Sequence, residues 1–439
     1  MRGFLASSIG VTCAAALALP LTLPAAAAPA AQPASGARTA STTAAPDLPG
    51  STQSLPLSPR TRDRTLGAAP EQGLTRDDVH RFSLVGVTWT DPDTELRGQV
   101  QVRTRATGTG EWSGWQDIDT HNEDHGADPG TAERDSGHVH GSTAPLWVGD
   151  SDGVDVRVRA NTAATRVVGN NDEQSSPLPT GLHLELVDPG AAEAPLAGAR
   201  PAAANRTATP RLAATELPAL SKQATERELV ALHSKAQPYI GPRPRIVTRH
   251  GWGADEKLRE KGFVYTKKVK AAFVHHTATG NNYRCSQAPS VIRGIYRYHV
   301  KSSGWRDIGY NFLVDKCGTI YEGRAGGVAK AVMGAHTLGF NTNSMGIAVL
   351  GTFGSAKPSS AAVTAIAKLT AWKLGLYGVN PRGKTYLKSG GGNLYRKGKN
   401  VRLNVISGHR DGFATECPGR QLYGKLGSAR STSARYQGR

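Results

Sequence analysis

The chain has 439 residues, 53 Lys+Arg against 35 Asp+Glu, and a formal net charge of +18. That length fits two to three domains of about 150 residues each. Apolar residues make up 38% before the 51 glycines are counted, which excludes a wholly disordered chain, and no internal run reaches the ~18 apolar residues of a membrane-spanning helix.

In chain order, residues 1–31 read as a secretory signal. Arg2 supplies the positive start, 4–23 is apolar and uncharged, and the small residues of 25–31 suit cleavage near Ala28. A membrane anchor is the competing reading, but Pro20 and Pro24 interrupt the run and no positive cluster follows it directly. The mature chain is therefore expected to be exported, without stable membrane insertion. Cys13 leaves with the signal, and Cys285, Cys317 and Cys417 remain. In an oxidising compartment two of an odd set pair and one is left for another task.

Residues 32–74 are rich in Ala, Pro, Ser, Thr and Arg and are expected to be disordered, because they cannot bury enough surface to offset ordering entropy. Over 75–190 the pattern changes to period two, as in Leu96-Arg-Gly-Gln-Val-Gln-Val-Arg103, Val154-Asp-Val-Arg-Val158 and Gly181-Leu-His-Leu-Glu-Leu-Val187. Turn-formers separate these runs, which predicts an N-terminal all-β, sandwich-like module. Its Trp112, Trp115 and Trp147 suit a core more than a carbohydrate platform. Glu133 and Asp135, with His121, His125, His138 and His140, read more cheaply as a solvated polar loop than as a metal site. Residues 191–242 read as a linker with a short helix near 221–235.

Residues 243–426 alternate strand and helix patterns. Strands are predicted at 270–276, 310–315, 319–322 and 345–350, and helices at 287–301 and 359–376, with Lys316-Cys317-Gly318 turning a hairpin. This implies a C-terminal α/β domain with a central mixed sheet flanked by helices. Residues 427–439 read as a basic tail.

Charge is segregated. Residues 1–220 hold 17 Arg, no Lys and 25 Asp+Glu, a net of −8, and residues 221–439 hold 36 Lys+Arg and 10 Asp+Glu, a net of +26. A field of that size attracts polyanions. For an exported protein, anionic polymers of a cell wall fit better than nucleic acid, and a solubilising surface accounts for many of the lysines.

Candidate chemistry lies at the ends of predicted strands. His275 and His276 end one, and His409 and Cys417, eight apart, share a glycine-flanked loop. A hydrolytic zinc site takes three protein ligands and keeps one position for water, and imidazole and thiolate both suit it. Spacing alone leaves open a core or surface histidine and an inert buried thiol.

Residues 243–424 resemble the peptidoglycan recognition protein and type 2 N-acetylmuramoyl-L-alanine amidase family. The resemblance runs in order through Arg249-His-Gly-Trp-Gly-Ala254, Val274-His-His-Thr-Ala-Thr279, Trp305-Arg-Asp-Ile-Gly-Tyr-Asn-Phe-Leu-Val314 and Gly318-Thr-Ile-Tyr-Glu-Gly-Arg324. It continues through Gly334-Ala-His-Thr337, Asn341, Ser344-Met-Gly-Ile-Ala-Val349, Gly408-His-Arg-Asp411 and Thr415-Glu-Cys-Pro-Gly419. It covers under half the chain and says nothing of residues 32–220.

The resemblance implies Zn2+ held by His275, His409 and Cys417, with Tyr310 and Thr415 as catalytic residues. Tyr310 would hydrogen-bond the attacking water or the developing oxyanion, and Thr415 would do so more weakly. Members that only bind typically lack the cysteine ligand, so Cys417 implies hydrolysis of the lactyl–L-alanine amide of peptidoglycan. His336, Asn341 and Arg324 match groove residues for sugar or peptide, and Trp305 is a groove residue or simple packing. His276 is expected on the opposite strand face, in packing or behind the ligands. Where the family often has Gly-Trp after Arg324, this chain has Ala325-Gly326-Gly327, so part of the groove wall differs. The recognition proteins often carry a close cysteine pair. Here Cys285 and Cys317 stand 32 apart, and a disulfide between them is expected to join the helix start to the hairpin. The expected partners are peptidoglycan and anionic wall polymers, with no nucleic acid, and the protein is expected to be a cell-wall-associated extracellular monomer. The alternatives are a non-catalytic peptidoglycan-binding protein of the same fold, a secreted cysteine peptidase using Cys417 and His409, and a protein whose basic half primarily binds polyanions.

Overall fold

Seven strands form the central sheet of the C-terminal domain. They lie in the order Glu216–Leu217, Ile246–Val247, Ile320–Glu322, Phe312–Val314, Ser344–Val349, Ala271–His276, Ile406–Gly408. The computed structural model describes residues 50–60, 70–122, 124–163, 174–175, 177–191, 214–232 and 239–439. The segment read as a signal, and most of those read as disordered or as linker, lie outside them.

Ala271–His276 runs parallel to both neighbours, and Phe312–Val314 and Ile320–Glu322 pair antiparallel, so the sheet is mixed as expected. The central strands are buried on both faces, which is why 271–276 and 344–349 read as continuous apolar runs rather than alternating ones. Ser360–Gly375 covers one face, with the Ser359 side chain accepting from Ala362 N–H at 3.0 Å to satisfy a free helix-start amide. Ala288–Arg297 covers the other, buries Val291, Ile292 and Ile295, and continues into a π-turn at Tyr298–Ser302. Cys285 and Cys317 are bonded, tying the start of that helix to the hairpin turn. Closing a loop of this length contributes about 3–4 kcal/mol in the chain-entropy picture.

The N-terminal module is a nine-stranded antiparallel sheet that folds back on itself. Its long strand Leu146–Ala160 pairs with Phe82–Trp89 through its first third, then with Glu71–Arg76 and Gly98–Ala106 through the remainder. The two halves enclose Phe82, Val85, Val100, Val156, Leu184 and Leu186, a sandwich-like core. Trp147 is buried, whereas Trp112 and Trp115 receive the guanidinium groups of Arg103 and Arg157.

Three boundaries differ from the sequence reading. Thr52–Pro56 pairs with His183–Val187, so the sheet takes in residues from the stretch read as disordered. An edge strand is held by backbone hydrogen bonds and needs few large side chains. Glu216–Leu217 and Ile240, read as linker, belong to the C-terminal sheet and its core. Residues 427–439 are no tail: Leu426–Gln437 is a helix whose Ala429, Ser433 and Ala434 are buried, small residues that permit a close approach to Ser360–Gly375.

The two folds share one core. Leu84, Trp147 and Val187 of the module pack in the same cluster as Val291, Ile295 and Tyr298. The contact is tight at two glycines. A Cβ on Gly86 would lie 2.4 Å from the Tyr298 hydroxyl, and one on Gly304, at φ +73°, would lie 1.8 Å from the His138 carbonyl oxygen. Tyr298 O–H donates to Thr143 O at 3.1 Å and Ser302 O–H to Glu185 at 3.0 Å, so these two buried hydroxyls in the seam are paired.

Candidate metal centre

Sheet register brings the first two histidines together. Val274 pairs with Gly408 on the neighbouring parallel strand, and His275 and His409 are the next residues along. Both therefore emerge at the carboxyl ends of adjacent parallel strands, where open α/β sheets place their sites. Asp411 pins the turn after the strand by accepting from Gly408 N–H at 2.9 Å and Tyr423 O–H at 2.6 Å. The loop then returns: Arg410 N–H donates to Cys417 O at 3.0 Å, and Cys417 N–H to Thr415 Oγ1 at 3.1 Å. This folds Cys417 back beside the histidines.

His275 Nδ1 lies 3.1 Å from His409 Nδ1 and 3.8 Å from Cys417 Sγ. Around a tetrahedral zinc the corresponding edges are ~3.3 Å between nitrogens and ~3.6 Å from nitrogen to sulfur. The outer nitrogens are already engaged. His409 Nε2 donates to Asp124 O at 3.1 Å, and His275 Nε2 faces Thr337 Oγ1 at 3.4 Å, which directs each Nδ1 lone pair inward. The donor chemistry and spacing thus fit a zinc-type ion. A fourth donor joins them: His125, from the N-terminal module, has a ligand atom within 4.8 Å of those of His275, His409 and Cys417, and all four residues are buried.

Without a cation this cluster is electrostatically uncomfortable. Burial, reinforced by neighbouring imidazoles, holds His275 well below its ordinary pKa, and His409 falls to about 3. Burial and the nearby Asp124 carboxylate push the Cys417 thiol well up. A bound cation reverses that last effect, because a coordinated thiol is deprotonated outright. Burial also opposes the charge on Asp124, yet the imidazoles of His125 and His409 hold its carboxyl well below the usual range. Tyr310 packs its ring 5.6 Å from that of His275, and burial keeps its hydroxyl protonated far above the ordinary value. Thr415 lines the same cleft as Tyr310, His125 and Cys417. His276 points away, as alternation requires, and its Nδ1 accepts from Phe353 N–H at 3.4 Å.

The residues assigned to a groove are all present and all covered. Arg324 makes two 2.8 Å hydrogen bonds to Glu133, with both side chains buried. Asn341 Nδ2 donates to Gly126 O at 2.8 Å and Asp128 Oδ1 at 2.7 Å, while its Oδ1 accepts from His336 N–H and Thr337 N–H. His336 is fully buried between Phe273 and His275, and Trp305 stacks on His299 with ring centroids 4.3 Å apart. An open groove is therefore not what the folded chain presents. Gly126, Asp128 and Glu133, from the stretch read as a solvated loop, lie over it. From sequence alone His125 and Glu133 are weighed as metal binders and set aside, and Asp124 and Asp128 are missed, because each looks like ordinary loop polarity. The available signal was length: loops beyond about 12–15 residues without regular structure are usually functional.

The buried imidazoles set a pH dependence. His275, His299 and His336 lie well below 6.5 and His409 near 3, in each case first because of burial. Unfolding lets them take up protons below about 6.5. Their contribution to stability is present in full above that pH and is lost as pH falls toward 3, by up to about 1.4 kcal/mol per unit for each imidazole. The urea midpoint of metal-free protein should therefore drop steeply between pH 7 and 5. A flat profile would contradict the burial.

Buried imidazoles and a thiol thus gather at the ends of parallel strands, in a domain whose likeness to known families is to amidases. Residues 265–420 match the family described as N-acetylmuramoyl-L-alanine amidase, and residues 33–180 match the one described as Rv3811 N-terminal galactose-binding domain-like. Peptidoglycan-recognition protein SC2 of Drosophila simulans is 30% identical over 200 residues, covering 45% of this chain and 92% of that protein. Peptidoglycan-recognition protein SC1a of Drosophila melanogaster is 33% identical over 192 residues, covering 43% and 87%. Among solved structures, peptidoglycan recognition protein LE in complex with tracheal cytotoxin is 32% identical, with a TM-score of 0.32, over 42% of this chain and 92% of that one. The chain belongs to the peptidoglycan recognition protein family.

Proposed function

We propose that this protein is a secreted, zinc-dependent N-acetylmuramoyl-L-alanine amidase. It cleaves the amide between the lactyl group of N-acetylmuramic acid and the L-alanine of the stem peptide. The observation that carries this reading is the convergence of His275, His409 and Cys417 beside Tyr310 in a domain matching that amidase family. His275, His409 and Cys417 would hold the ion, and zinc, when bound, supplies Lewis acidity toward the amide carbonyl and the attacking water. Thr337 and the Asp124 carbonyl fix the imidazole orientations. The protonated Tyr310 hydroxyl donates to the amide oxygen as negative charge builds there. Thr415 adds a weaker hydrogen bond. Arg324, Asn341, His336 and Trp305 bind the sugar and stem peptide once uncovered, and the net charge of +26 on residues 221–439 retains the protein on anionic wall polymers.

Purified cell walls should release soluble stem peptide, lose that release on chelation and regain it with added zinc. Tyr310→Phe should lower turnover about 10²–10³-fold, the usual cost of one oxyanion donor, with zinc stoichiometry unchanged. Equal turnover would remove Tyr310 from the chemistry. The second reading, a peptidoglycan-binding protein without turnover, is favoured by the covering of Arg324 and Asn341. It predicts no release under any condition.

A further inference from the structure

We infer that His125 of the N-terminal module is the fourth ligand of the metal centre and that the loop carrying it occupies the substrate groove, so that the folded chain is a latent form whose site opens when the module lifts away. This rests on the amidase reading for its consequence but not for the ligand itself.

The His125 ring is buried, and its Nε2 has no hydrogen-bond partner. A buried nitrogen left unpaired is unfavourable, and coordination removes that cost. The other nitrogen, Nδ1, lies 2.7 Å from Asp124 Oδ1. A carboxylate behind the far nitrogen is the usual support of a metal-binding imidazole, fixing its tautomer and raising its basicity. The ring sits 4.6 Å from His409 and 5.3 Å from His275, centroid to centroid, among the donors rather than behind them.

Ligand number decides what such a site can do. Hydrolytic zinc centres keep one position of four for water, and centres with four protein ligands are closed. Two imidazoles and a sulfur leave that position free, and a third imidazole fills it.

The rest of the loop covers the groove residue by residue. Glu133 places a carboxylate on Arg324, Asp128 accepts from Asn341 and from Gly339 N–H at 2.7 Å, and the Asp124 carbonyl accepts from His409 and from Leu338 N–H at 2.9 Å. An acidic loop thus lies on the residues that would take an acidic stem peptide, and the two cannot bind at once.

The test uses the full chain loaded with cobalt(II), whose visible spectrum reports coordination, with azide added as a small exchangeable ligand. The wild-type spectrum should not respond to azide, whereas His125→Ala should respond and should surrender zinc to a chelator at least tenfold faster. X-ray absorption of zinc-loaded wild type should count three imidazoles and one sulfur, a readout that holds even if the variant does not fold. Glu133→Arg sets two guanidinium groups against each other at Arg324. It should render the unaltered His125 site azide-sensitive and raise release of peptide from purified walls at least tenfold over wild type. An azide-responsive wild type, or two imidazoles by absorption, overturns the ligand assignment. An azide-insensitive Glu133→Arg protein overturns the opening by undocking. If the spectra behave as expected but no variant releases peptide, the ligand assignment stands and the amidase reading fails.

Discussion

Cys417→Ala should eliminate peptide release from purified walls and weaken zinc binding by at least tenfold. Of the four clustered residues the sulfur is the one that can bind as an anion, and its replacement leaves imidazoles, with the Asp124 carboxylate beside His409, to hold a divalent ion in a dry site. Even supporting residues behind a ligand typically matter 10–100-fold, so losing the ligand itself should matter at least as much. The fold should survive: the side chain is small, and the turn that presents it is held by backbone hydrogen bonds and by Asp411. Metal content after dialysis and peptide release read the effect, and far-ultraviolet dichroism guards against misfolding. Wild-type release from the alanine variant would end the metal reading. Inhibition by thiol alkylation with indifference to chelators would point instead to a cysteine peptidase.

Arg324→Ala should cost about 3–5 kcal/mol of stability, the usual result of removing one partner from a buried ion pair. Arg324 and Glu133 are both almost completely excluded from solvent, and each satisfies the other through paired hydrogen bonds. Truncating the arginine strands a carboxylate where water cannot reach it. Combining Arg324→Met with Glu133→Gln should recover most of the loss, because no uncompensated charge remains. Urea midpoints of the single and double variants measure this. A single variant within about 1 kcal/mol of wild type would show that the module is not seated on the groove in solution, since an undocked pair would behave like an exposed one.

Much of the C-terminal domain was legible locally. The strand at 271–276, the hairpin turned by Lys316-Cys317-Gly318 and the helix behind Ser359 each announce themselves within about a dozen residues, because periodicity and capping are short-range effects. The His275, His409 and Cys417 set was suggested by residue type and could be named through family resemblance. Parallel register then explains the first pair, since Val274 faces Gly408. The C-terminal helix was misread because its buried residues are alanine and serine, which carry little hydrophobic signal, yet these allow the close approach that buries them.

The groove is where local reading ran out. Residue patterning alone was enough to indicate an α/β domain and a separate β module before it, whereas the metal set rested on the family resemblance. Nothing near Arg324 indicates a partner 191 positions earlier, and nothing near His409 indicates Asp124, 285 positions away. Such contacts depend on how two finished surfaces meet. Leu84 and Trp147 must pack with Val291 before Glu133 can reach Arg324, and Gly86 and Gly304 must lack side chains for the surfaces to close. An acidic loop in isolation is cheapest in water, and it becomes a lining only when a buried guanidinium and a cluster of imidazoles compensate its charges. That compensation is a property of the assembled fold, and it turns an apparently solvated loop into part of the candidate metal centre.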